Sequence, residues 1–132
     1  MKTKDLTGYR VVAVHAHPDD ETLFMGGTLA SLAARGAEVT VITLTLGEDG
    51  EVIGEPYQGL ADHDQLGGFR ARELANALEA LGVKGIQLGG FGHFRDSGMA
   101  GSPSHENSRA LVNRIDEAAD FLGDELEAID PH

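Results

Sequence analysis

This sequence predicts an α/β fold with a doubly wound parallel sheet, and three observations carry the prediction. Short β-branched runs alternate with longer stretches of helical periodicity. The runs are mostly apolar, as strands covered by helices on both faces are. Each run also ends in a polar, glycine-containing loop, which is what the carboxyl edge of an open parallel sheet needs if it is to bind a ligand.

The first strand is YRVVAVHA, residues 9–16, set between Gly8 and Pro18. PDDETLFMGGTLASLAARG follows as a helix: proline and acids suit a first turn where the dipole is positive, and Gly36 suits its end. EVTVITLTLG is a second buried strand, and residues 47–66 form a long loop. Ala71, Leu74, Ala75, Leu78 and Leu81 recur at helical spacing and stop before Gly82, giving a second helix. GIQLGGF, residues 85–91, is the third strand. Beyond a glycine- and serine-rich loop, Asn113 with Asp116 resembles a capping box that opens a last helix through Ile115, Leu122, Leu126 and Ile129, stopped by Pro131. Right-handed crossovers between the strands make the arrangement Rossmann-like. It is unfinished, because the last helix should return the chain to another strand. Residues 1–132 therefore read as the single N-terminal portion of a longer domain, truncated after the third crossover helix.

Composition narrows the function. A net charge of −12 leaves no basic face for phosphates, so nucleic acid and anionic membrane surfaces are not expected partners. The four apolar residues VVAV are too few for a signal peptide or a bilayer span, which gives a cytoplasmic location by default. With no cysteine, a metal would have to be held by histidine and carboxylate. Oligomeric state is left open.

The strand ends deliver HAHPDDE, then Glu48, Asp49 and Glu51, then His93, Arg95 and Asp96. No G-x-G-x-x-G or Walker loop follows a strand, and Ser97 lacks the elbow of a nucleophilic serine. The first loop stands out. His17 lies just before the helix and Asp20 is three residues on, so both can face one point at the helix mouth with ligand types that Zn²⁺ takes; Asp19 between them is placed to accept a proton from water. Helix N-terminus chemistry alone also accounts for Pro18, Asp19, Asp20 and Glu21, and a solvated acidic turn for the second loop. Arg70 is a cation near a helix start, where the dipole disfavours it, and so points either to an anionic or polyol partner from outside or to a surface salt bridge. Arg95 and Asp96 read as a surface pair, His63 and His105 as surface histidines, and Phe24, Met25 and Phe69 as core or cleft wall.

A-H-P-D-D-E after a strand and opening a helix resembles the signature of the PIG-L or LmbE-like family of metal-dependent N-acetylglucosaminyl deacetylases. LTLGEDGEVIGE, ADHDQLGGFRARELANALEALGV and GHFRDSGMAG are similar to the branch of that family that deacetylates N-acetylglucosaminyl-inositol in mycothiol biosynthesis. The resemblance implies a small amino-sugar conjugate as substrate and Zn²⁺, or Fe²⁺, as cofactor. It implies that His17 and Asp20 are metal ligands, Asp19 the general base, and Glu51, Arg70 and Asp96 substrate contacts, with His15 nearby but not a ligand. A third ligand would come from a later motif absent from this chain, so His132 is not that ligand. The sister mycothiol conjugate amidases, or a sugar-binding module without catalysis, are the alternatives.

Overall fold

The computed structural model describes residues 3–132. Three strands, β1 (Arg10–His15), β2 (Glu38–Thr43) and β3 (Lys84–Gln87), form one parallel sheet in the order β1-β2-β3. The register pairs His15 with Thr43 and Thr43 with Gln87, so the three strands finish level with one another and their following loops leave from one edge.

Four α-helices accompany the sheet: α1 (Asp20–Ala34), the short α2 (Gly59–Asp62), α3 (Leu66–Leu81) and α4 (Ile115–Ile129). Strand alternation sorts the core into two layers. On one face Ala13, Val39 and Val41 pack with Leu29 of α1 and Leu74 and Leu78 of α3. On the other, Ile42, Leu88 and Phe94 pack with Ala118 of α4, flanked by Phe121, Leu122 and Ile129. Helices on both faces of a parallel sheet are the doubly wound arrangement that the alternation predicts. At the turn from α1 to β2, Gly36 has φ +95°, and a Cβ there would stand 2.8 Å from the Thr7 hydroxyl, so glycine is required on two counts.

The elements depart from the sequence reading where loop geometry overrides pattern. The predicted third strand, 85–91, ends at Gln87, because Gly89 and Gly90 turn away with φ +71° and +94°. The predicted loop 47–66 contains a 3₁₀ turn at Glu55–Tyr57 and then α2. The Asn113–Asp116 capping box does not form. Arg114 is the N-cap, and the Asn113 amide donates to the carbonyls of His105 and Asn107 at 2.8 and 3.0 Å, closing the preceding loop instead. Ile115, on the apolar stripe of the last helix, and Phe24, expected as core or cleft wall, are 56% and 77% exposed, and Phe24 does not line the main cavity. Met25 packs against the first core layer as expected.

Leu29 is fully buried between sheet and α3. Replacing it with alanine removes about 3 kcal/mol of stability; urea unfolding should show a lower midpoint with an unchanged slope.

Candidate functional site

Where β1 ends, the chain must reverse within four residues to begin α1, and Asp19 absorbs the bend with φ 107°, rare for any residue but glycine and costing about 1–3 kcal/mol. Its carbonyl accepts the first helical hydrogen bonds, from the amides of Thr22 and Leu23 at 3.0 and 2.9 Å. The helix therefore starts at Asp20 rather than at Pro18. Three successive acids then point three ways. Asp19 meets the Arg70 guanidinium at 3.2 Å, and Asp20 Oδ2 accepts the His17 amide at 3.0 Å. Glu21 is fully buried, its Oε2 accepting the Asp19 amide at 3.0 Å and its Oε1 the Thr22 hydroxyl at 2.9 Å.

The His17 ring stands between two carboxylates, with Nδ1 3.7 Å from Asp20 Oδ2 and Nε2 3.1 Å from Asp96 Oδ1. The hydrogen bond to Asp96 raises the pKa of His17 above the usual histidine value against the opposing effect of burial, and the same bond lowers that of Asp96. Asp96 is also tied to the neighbouring loops: its Oδ2 accepts the Asp49 amide at 3.3 Å, and its own amide donates to Glu48 at 2.9 Å. The loop after β3 is thereby stitched to the loop after β2.

Arg70, near the start of α3, spans the other side. Its guanidinium donates to the carbonyl of Gly47 at 2.8 Å and to that of Pro18, and pairs with Asp19. A Cβ at Gly47 would run into this guanidinium, and one at Gly50 would lie 2.7 Å from it, so these two glycines make room for the cation. The partners that offset its position near a helix start lie within the protein. A cavity of about 650 Å³ opens beside them, lined by His17, Asp19, Glu51 and Arg70 on one side and by Tyr57 and Phe69 on the other. Phe69 is thus cleft wall, as the sequence suggests.

Other readings change. Arg95 does not pair with Asp96; it binds Asp64 at 2.9 Å, while Asp96 serves His17. His93 lies at the margin of the second core layer, hydrogen-bonded to Glu117 at 2.8 Å and edge-on to Phe94. His105 is not a free surface histidine, since its Nδ1 lies 3.2 Å from the Ser97 carbonyl. Ser97 itself accepts the Val112 amide, an anchoring role. The sequence reading passed over Glu21; its signal was an acid at the one first-turn position that faces the core.

A family model described as GlcNAc-PI de-N-acetylase, PIG-L, matches residues 12–122. The chain belongs to this family. A curated PIG-L relative from Corynebacterium glutamicum strain R, named 1D-myo-inositol 2-acetamido-2-deoxy-alpha-D-glucopyranoside deacetylase, is 59% identical over 100% of this chain and 46% of its own length. A relative of the same name from Mycolicibacterium smegmatis is 56% identical over 93% of this chain and 43% of its own. The chain thus spans about half the length of these relatives. Among solved structures, the zinc-inhibited form of teicoplanin deacetylase Orf2 superposes with a TM-score of 0.65 at 26% identity, over 92% of this chain and 53% of that one.

The donor set of this PIG-L chain suits a metal in part. Two ligands at 2.0–2.2 Å from a tetrahedral ion stand about 3.4 Å apart. The 3.7 Å between His17 Nδ1 and Asp20 Oδ2 is within a small side-chain adjustment of that, and Asp96 on the opposite ring nitrogen is the type of partner that orients a ligating histidine. His17 and Asp20 therefore fit as a pair. Among the described residues, no three histidine, aspartate or glutamate side chains are grouped to hold an ion by themselves.

The His17–Asp96 pair predicts a pH profile for the metal-free chain. Because the folded pKa of His17 is raised, its contribution to stability is complete below 6.5 and is lost as pH rises through the raised value. Because that of Asp96 is lowered, the same pair is complete above 3.8 and is lost as pH falls through the lowered value. Thermal unfolding across this range should show a decline on the alkaline side of 6.5 that Asp96→Asn flattens.

Proposed function

We propose that a full-length protein carrying this chain hydrolyses the N-acetyl group of an N-acetylglucosaminyl-inositol substrate, in mycothiol biosynthesis, to acetate and the free amine. The observation that supports this most is that His17, with Asp20 beside its ring, and an Asp19 carboxylate held by Arg70 line one cavity through His17, Asp19 and Arg70. The names of the curated relatives point to the same substrate.

On this reading His17 and Asp20 hold Zn²⁺, or Fe²⁺, together with a ligand from outside the chain. When bound, the metal polarises the amide carbonyl and acidifies water to a pKa of about 7. Asp19 accepts the proton of the attacking water and passes it to the leaving amine. Arg70 fixes the carboxylate for both transfers, and Asp96 fixes the His17 ring. Glu51 and Arg70, which line the cavity, meet hydroxyls of the sugar and inositol. Asp96 stands behind His17 with both its oxygens already accepting hydrogen bonds, so its contribution to substrate binding passes through the His17 ring. The Tyr57 and Phe69 wall offers flat apolar surface to ring C–H groups.

Asp19→Ala in the full-length protein lowers kcat for acetate release by about 10²–10⁴-fold while bound metal is retained. Asp20→Ala loses metal and activity together, and chelation of the wild type does the same. Near-normal turnover in either variant overturns the assignment.

A further inference from the structure

We propose that Glu21 is a positioning residue for Asp19, holding its backbone in the left-handed conformation that aims its carboxylate at the cavity. The inference rests on the reading of Asp19 as proton acceptor, but the hold is a property of the structure alone. Two separate observations meet here. Asp19 carries φ 107°, a conformation its residue type disfavours, and its amide donates at 3.0 Å to a carboxylate with 0% exposure.

An ordinary helix start does not explain the pair. In a capping box the returning acid stands at the third helical position and lies at the surface. Glu21 is at the second position and is buried, where a carboxylate is costly unless it is hydrogen-bonded. Its two oxygens are matched by two donors, the Asp19 amide and the Thr22 hydroxyl. With the peptide turned inward to reach Glu21, the Asp19 side chain leaves on the opposite side, toward Arg70 at 3.2 Å. Glu21 thus grips Asp19 by its amide and Arg70 by its carboxylate. Glu21 is fully buried and does not line the cavity, so it acts only through Asp19.

The test is ¹⁵N-resolved NMR on the metal-free full-length protein, comparing the wild type with Glu21→Gln, which keeps an acceptor oxygen, and Glu21→Met, which fills the space without one. In the wild type the Asp19 amide proton should lie downfield, exchange slowly and show the amide–Hα coupling of a positive φ. Glu21→Met should move that proton upfield and change the coupling, and Glu21→Gln should keep the coupling. In the full-length protein Glu21→Met should lower kcat about 10²-fold with KM and bound metal unchanged, and Glu21→Gln should recover most of it. An Asp19 amide that is ordinary and fast-exchanging in the wild type overturns the proposal, as does a coupling unaltered in Glu21→Met. If the wild-type full-length protein releases no acetate, the proposed reaction fails, and the amide signals still decide the grip.

Discussion

The Arg70 guanidinium is the constraint on which the candidate site depends. It reaches from α3 to the loop after β2, through the Gly47 carbonyl, and to the loop after β1, through Pro18 and Asp19. With the side chain only 14% exposed, these bonds are little weakened by water, and two glycines leave the space it occupies. Without a cation there, the Asp19 carboxylate and two carbonyls would face one another with nothing between them.

The sheet supplies the second condition. Because His15, Thr43 and Gln87 lie in one row, the loops that carry His17, Glu48 and Asp96 start level and need travel only a few residues to meet. The two core layers beneath them are apolar and fix the strands, so the polar groups at the edge are free to serve chemistry rather than packing.

Much of this was legible in the residues. Apolar runs and helical spacing gave the order of elements, and the wrap around Asp19 was foreshadowed by a proline and three acids after a strand. What stayed hidden were partnerships between loops distant in sequence. The spacing of Arg70 from a helix start suggested an external partner, because Pro18 and Gly47 are 52 and 23 residues away along the chain and no local pattern links them. Asp96 was read as paired with its neighbour Arg95, whereas folding delivers it to His17, 79 residues earlier. The Asn113 capping box failed for a related reason: an amide side chain serves whichever carbonyls the tertiary fold brings within reach, and here those belonged to the preceding loop. Glu21 was read only as one of the acids that suit a helix N-terminus, a reading that gives no hint of its burial.

The reciprocal stitch between Asp96 and the Glu48–Asp49 segment has a consequence for motion. One amide of each loop is bonded to a carboxylate of the other, so neither loop can swing out while the other stays. Opening should therefore be a shared event of the two loops, and their amides should exchange with solvent at a common rate, as one cooperative unit above a more protected sheet.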